Sequence, residues 1–189
     1  MHASEPLRNT IELTSGGLSL RPWRDADAPT LAAAVGESVV SVGRWLPWCH
    51  AGYTQETAAS WIAQCQAGWR SGAHFAFALI ALDSGELLGG AGLSQRNQAH
   101  HCANLGYWVR ESRQRQGIGS TAARLVARFG FEQLGLIRIE VVVLPDNLPS
   151  RATAQRIGAK FEAIARHRLW TREQAQDAAV YGLLPGDLD

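Results

Sequence analysis

The residues whose types and spacing point most directly to chemistry lie in one stretch, Gly106-Tyr107-Trp108-Val109-Arg110-Glu111-Ser112-Arg113-Gln114-Arg115-Gln116-Gly117-Ile118-Gly119-Ser120. Apolar residues lead into a polar turn, and two glycines close the turn just before a helical pattern begins. Such a turn leaves amides unpaired at a helix N-terminus, where the N–H groups and the helix dipole together attract an anion. Glycine lets the backbone approach phosphate without a Cβ in between. A pyrophosphate fits this site, and Arg110, Arg113 and Arg115 add charge suited to a further phosphate on the same ligand. No G-K-[ST] follows and no G-x-G-x-x-G is present, which sets aside the P-loop and the dinucleotide-binding turn. A glycine turn that merely starts a helix is the plain alternative.

The elements that must position this turn can be traced by periodicity. Leu18 to Arg21 alternates as a strand and Pro22 ends it; Asp25, Asp27 and Pro29 open a helix through Leu31 to Val35. Thr54 caps a second helix, in which Ala58, Trp61, Ile62, Cys65 and Trp69 recur at helical spacing. Phe75 to Leu82 and Leu87 to Leu93 form a hairpin about Asp83-Ser84-Gly85-Glu86. Leu105 to Arg110 is a further strand, a helix runs from about Ser120 to a stop at Gly135, and Ile137 to Val143 is a buried strand. Pro149 and Ser150 open a last helix that Gly158 closes, before strands near Phe161 to Leu169 and Ala178 to Leu184. The order is β-α-α-β-β-β-α-β-α-β-β, an α/β (α+β) arrangement with no linker or repeat, so residues 1–189 are expected to form a single domain.

Composition narrows the partners. Lys and Arg number 18 against 17 Asp and Glu, a net charge of +1, so no global field would hold a polyanion, and direct nucleic-acid binding is not expected. The three cysteines, Cys49, Cys65 and Cys102, are odd in number and lack C-x-x-C spacing, which argues for a reducing compartment. His100-His101-Cys102 and Cys49-His50 lack zinc-site spacing, so no metal is expected. The N-terminus lacks the basic-then-apolar pattern of a signal peptide, and the longest apolar run, Phe75 to Leu82, is too short to span a bilayer. A cytoplasmic protein with no membrane partner is the expectation.

Gln114-x-x-Gly117-x-Gly119 is similar to the Q/R-x-x-G-x-G/A motif of GCN5-related N-acetyltransferases (GNAT). Its setting, between Leu105-Gly106-Tyr107-Trp108-Val109 and Leu136-Ile137-Arg138-Ile139-Glu140-Val141, with Asp146-Asn147-Leu148-Pro149-Ser150 and Gly158-Ala159-Lys160-Phe161-Glu162 after it, resembles the branch containing the RimJ/RimL ribosomal-protein N-terminal acetyltransferases. The resemblance runs from about Leu18 to Leu188 and includes Trp45-Leu46-Pro47-Trp48 and Val180-Tyr181. It implies a GNAT fold, a mixed sheet of about seven strands flanked by about four helices, splayed so that Leu105–Arg110 and Ile137–Val143 part to admit the pantetheine arm of acetyl-CoA.

The same resemblance implies roles for particular residues. Backbone groups of Trp108 and Val109 would pair with pantetheine, and Arg110 with Gln114, Arg115, Gln116, Gly117, Ile118, Gly119 and Ser120 would hold the phosphates. Trp108 as one more sheet aromatic is an equal alternative. Asn147 would contact coenzyme A, and Ser150 would donate to the departing sulfur, unless it only caps its helix; the Tyr used by many other family members falls at Ala154. Trp45, Trp48 and Tyr107 would line the acceptor cleft, or pack in the core. Two acidic family positions are replaced here by Leu169 and by Asn104, the latter beside the acceptor. Deprotonating an α-amine of pKa ~7.8 at pH 7 costs only about 1 kcal/mol, against about 4.6 for a lysine near ~10.4. Without a carboxylate at these positions, the N-terminal amine of a protein or peptide is the favoured acceptor, attacking the thioester directly. A small-molecule amine acetyltransferase and a non-catalytic acyl-CoA-binding module are the competing readings, and both monomer and homodimer are open.

Overall fold

A computed structural model describes residues 11–188, and the reading of the N-terminus as free of a leader pattern lies largely outside them. Its strands are β1 (Leu13–Ser15), β2 (Leu18–Pro22), β3 (Phe75–Ala81), β4 (Leu87–Asn97), β5 (Cys102–Val109), β6 (Arg138–Val143), β7 (Lys160–Thr171) and β8 (Gln174–Leu183). The helices are α1 (Ala28–Glu37), α2 (Gln55–Ser71), α3 (Ile118–Leu134) and α4 (Leu148–Arg156). All eight strands form one sheet in the order β1-β2-β3-β4-β5-β6-β8-β7. Every neighbouring pair is antiparallel except β5 and β6, which run parallel.

Side-chain alternation along the strands separates two cores. Phe75, Phe77 and Leu79 of β3 face the same side as Leu93, Leu105, Ile139 and Val141, where α3 covers them with Ala122, Val126 and Phe129. Ala78 of β3 and Leu87 of β4 belong to the other side, where α1 and α2 add Leu31, Val35, Ile62 and Cys65. Local chemistry sets the helix ends. Thr54 Oγ1 accepts from the Thr57 amide to start α2, and α3 ends in a left-handed Gly135 whose N–H returns to the Gly130 carbonyl.

The eighth strand is the difference from the expected count. β1 has three residues, too few to show a period, and it joins β2 through Gly16 and Gly17, both at positive φ. β4 and β5 also extend through Ser94–Asn97 and Cys102–Asn104, polar ladder residues that no apolar alternation marks. Ile137 is 63% exposed and precedes β6 instead of opening it. Among the described residues no helix is long and apolar enough to cross a membrane.

Phe129 lies edge-on to Phe75 and Phe77 and tilted against Trp69, with ring centroids 5.5, 5.3 and 5.8 Å away, and so joins α3 to the sheet and to α2. Phe129→Ala is expected to lower unfolding free energy by about 3–5 kcal/mol, read as a shift of the urea midpoint at constant slope. A loss under about 1 kcal/mol would show that the cluster does not anchor the packing.

Candidate functional site

Strands β5 and β6 pair only at Cys102↔Arg138, Ala103↔Ile139 and Asn104↔Glu140. Beyond Asn104 they diverge, although each keeps its outer neighbour: β5 stays on β4 to Val109↔Gly89, and β6 stays on β8 to Val143↔Ala179. The wedge therefore exposes one backbone edge of Leu105–Val109, where among the described residues only the Val109 carbonyl is taken by a side chain, Gln114, and one of Val141–Val143, groups that need hydrogen-bond partners. An extended amide-bearing arm fits between two such edges.

The glycine turn stands at the open end of the wedge. Gly117 is the N-cap of α3 at φ +79, and Arg115 is also left-handed at φ +63. The first helical hydrogen bond runs from the Thr121 amide to the Gly117 carbonyl, at 3.0 Å. The amides of Arg115 to Ser120 thus donate to no protein acceptor among the described residues, and the helix dipole points along them. A Cβ at Gly117 would meet nothing within 4 Å, whereas at Gly119 it would touch Val109 and Thr153, so Gly119 sits where α3 passes β5 and α4.

The arginines behave differently from one another. Arg110 Nε donates to Glu37 Oε1 at 2.8 Å, its Nη1 lies 3.1 Å from Glu86 Oε1, and Arg113 also pairs with Glu86. Their charge is matched in place by the chain's own carboxylates, so the electrostatic help to a phosphate expected of them is largely cancelled. Arg115 is exposed and makes no ion pair among the described residues. Gln114 faces inward: its Nε2 donates to the Val109 carbonyl at 3.0 Å and to Ser41 Oγ at 3.2 Å.

The end of α1 clamps this turn from below. Glu37 takes Arg110 and accepts from Ser112 Oγ at 2.8 Å, while the fully buried Ser38 accepts from the Glu111 amide at 3.0 Å. Sequence reasoning missed these residues, because they lie more than seventy positions from the turn and carry no local motif. The Arg110 guanidinium and the Ser112 hydroxyl and amide hold the Glu37 carboxyl at about 2, against an ordinary 4.5.

Asn147 and Ser150 meet at the start of α4. Asn147 is the cap: its Oδ1 accepts from the Ser150 amide at 3.2 Å. Ser150 therefore does not cap with its own oxygen. Its Oγ donates to Tyr107 Oη at 3.3 Å, and Tyr107 Oη donates to the Ser150 carbonyl at 2.9 Å. Burial pushes the Tyr107 phenol up to about 12, so the ring is neutral and can donate at physiological pH. Arg151 braces the same turn through the Pro145 carbonyl and Tyr181 Oη, both at 2.9 Å. Burial also raises the Cys49 thiol and pushes Cys65 up to about 12, so neither offers a thiolate nucleophile.

The aromatic residues expected around the acceptor divide between the two faces. Trp108 packs with the α1–α2 core and stands edge-on to Trp48, with centroids 5.4 Å apart, and Gly90 leaves the space the Trp108 indole occupies. Trp48 also meets Tyr53. Trp45 lies in the same loop under the Arg44 guanidinium, 4.7 Å from its ring centroid, and Arg172 at the β7–β8 tip donates to the Gly43 and Arg44 carbonyls. Tyr107 is separate from this group, because neighbouring strand residues point to opposite faces, and it joins Ser150 instead. Asn104 shares the Trp108 face, with its Oδ1 buried and unpartnered. No group of three or more potential metal ligands occurs among the described residues.

Residues 18–160 match the acetyltransferase (GNAT) domain family. The chain is 28% identical over 169 residues to YdaF of Bacillus subtilis (strain 168), a protein named as a candidate ribosomal N-acetyltransferase, covering 88% of this chain and 91% of that one. A Vibrio cholerae structure described as a candidate ribosomal-protein-serine acetyltransferase superposes with a TM-score of 0.83 at 26% identity, over 95% of this chain and 100% of that chain. Mycobacterium smegmatis RimJ, solved in complex with CoA-disulfide, shares the fold with a TM-score of 0.84 at 24% identity, over 94% and 88% of the two chains.

A carboxylate whose folded pKa is depressed stabilises above its unfolded pKa and loses that contribution as pH falls through the folded value. For Glu37 the window lies between 4.5 and about 2. Its side chain is 31% exposed, so solvent screening limits the contribution to about 1 kcal/mol at pH 7. Glu37→Gln should lower the melting temperature at pH 7 and differ less from the parent at pH 3. An equal deficit at both pH values would mean that the carboxylate charge is not what clamps the turn.

Proposed function

This chain belongs to the GNAT acetyltransferase family, and from that premise we propose that it moves the acetyl group of acetyl-CoA onto the N-terminal α-amine of a protein or peptide. The observation that carries the proposal is the row of unpaired amides from Arg115 to Ser120 at the mouth of a wedge whose edges bear unpaired backbone groups. Those donors suit a pyrophosphate, and the open edge of β5 leading up to Val109, whose own carbonyl is held by Gln114, suits the amides of pantetheine. RimJ of Mycobacterium smegmatis, of the same fold, was solved with a coenzyme A species.

Bound acetyl-CoA supplies the activated acyl group. In this reading the chain holds the phosphates at α3, orients the arm along β5, and places the Ser150–Tyr107 hydroxyl pair where it can donate to the departing sulfur. Asn147 keeps that geometry by capping α4. Without a thiolate nucleophile at Cys49 or Cys65, direct attack by the amine is the simpler route. An α-amine is favoured because it reaches the neutral form at far lower cost than lysine. The names of YdaF and of the Vibrio cholerae protein, both ribosomal, support a protein acceptor. Three free cysteines suit the reducing cytoplasm, and residues 1–189 would act as one domain.

Two variants test this reading. Gly117→Glu places a carboxylate among the amides without a clash, at the cost of a strained positive φ, and should largely abolish the rise in melting temperature that acetyl-CoA causes. An unchanged rise in the folded variant would reject the cradle. Ser150→Ala keeps the amide that Asn147 caps, so the melting temperature should hardly move. Its kcat should fall toward the lower end of the roughly 10²–10⁴-fold range of general-acid catalysis, with acetyl-CoA affinity unchanged. A normal kcat on peptides with free Ser or Ala N-termini would remove Ser150 from the chemistry. Preferential turnover of polyamines or amino sugars in the same panel would move the acceptor to small molecules.

A further inference from the structure

The apex of the wedge is the parallel pair Asn104↔Glu140, the last before β5 and β6 part. Residues paired in a ladder present their side chains to the same face, and alternation along β5 gives that face Asn104, Gly106 and Trp108. A Cβ at Gly106 would meet nothing within 4 Å, so the strand offers no side chain between Asn104 and the Trp108–Trp48 pair. On the β4 side the facing positions are Ser94 and Gly92. A small open floor therefore lies beside the apex, bounded by an indole, an amide and a carboxylate.

Glu140 is the one charged residue in the Ile139–Val143 run, and its partners fix it in place. Arg138 Nη2 lies 3.1 Å from Oε1 and Arg168 Nη2 lies 3.6 Å from Oε2, while Arg138 is also held by Glu162. The Glu140 side chain is 29% exposed, which leaves it within reach of a ligand and of water. Asn104 differs: its Oδ1 is shut in without a donor, so turning the amide about its terminal torsion sacrifices no hydrogen bond of that oxygen and brings an acceptor to the open side.

We infer that Glu140 is the carboxylate that takes the proton of the acceptor amine, with Asn104 as the hydrogen-bond acceptor that orients the amine beside it; the inference rests on the acetyltransferase reading above. As the nitrogen lone pair forms the N–C bond and the C–S bond breaks, the electron pair of that bond leaves on sulfur. The nitrogen gives its surplus proton to a Glu140 oxygen, which passes it to solvent, and sulfur is met by the hydroxyl pair of Ser150 and Tyr107. The lone pair that attacks belongs to the neutral amine, so only the unprotonated form reacts. This matches a preference for α-amines over lysine at neutral pH.

The test uses the full chain, acetyl-CoA and a peptide with a free Ser N-terminus. Glu140→Gln, nearly isosteric, should lower kcat by about 10²-fold or more while keeping the acetyl-CoA-induced rise in melting temperature. Adding Asn104→Asp returns a carboxylate across the same ladder pair and should recover much of the lost kcat. Asn104→Leu leaves the arginine pairs of Glu140 alone and should raise the KM for peptide several-fold with the acetyl-CoA response intact. If Glu140→Gln keeps normal kcat per folded molecule, even with a lowered melting temperature, Glu140 only ties β6 to β7 and the inference is overturned. Loss of the acetyl-CoA response together with activity would overturn it too, by showing that the wedge itself had collapsed. If the unaltered protein binds acetyl-CoA but acetylates no amine, the function proposed above fails first and takes this inference with it.

Discussion

Everything functional in this molecule depends on two parallel strands ceasing to pair. A sheet normally satisfies its backbone by continuing the ladder, and opening it exposes polar groups that must find partners elsewhere. Here β5 and β6 separate beyond Asn104↔Glu140, yet each remains fully paired on its outer side, to β4 and to β8. The cost of parting is thus confined to one edge of each strand. Those edges become the walls of a slot that passes through the sheet and joins the two faces.

The faces divide the work. On one side α4 is held close to β5 by the bonds between Tyr107 and Ser150, and its first turn is fixed by Asn147 and Arg151. On the other, Trp48, Trp108, Asn104 and Glu140 surround an area kept free of bulk by Gly92 and Gly106. At the open end the turn before α3 presents its amides, and the end of α1 grips that turn through Glu37, Ser38 and Ser41. This grip, together with Glu86, explains why the charge of two of the three arginines near the cradle is already matched by the chain's own carboxylates. Arg110 and Arg113 neutralise Glu37 and Glu86 and set the path of the chain, while the backbone supplies the donors.

Much of this was legible in the sequence, for local reasons. Thr54, Gly135 and Pro149 mark helix ends by chemistry that operates within a few residues, and the alternation of Phe75, Phe77 and Leu79 identifies a core-facing strand. The Gln114-to-Gly119 spacing announces an anion site because the requirement for unpaired amides is itself local. β1 was not legible, since three residues carry no period, and the polar ends of β4 and β5 were not, since their pairing is fixed by the ladder and not by burial.

The succession of elements, the glycine turn and the family to which they point can be read from the chain alone. Those properties depend on contacts between residues close along the chain. Tertiary structure alone decided that Asn147, not Ser150, caps α4, that Tyr107 turns away from Trp48 to meet Ser150, and that Glu37 claims Arg110 across seventy-three positions. It also brought Glu140 opposite Asn104 at the point where the sheet opens. Each of these depends on the register between strands and on the face to which a side chain points. Both are fixed only when the whole sheet closes on its helices.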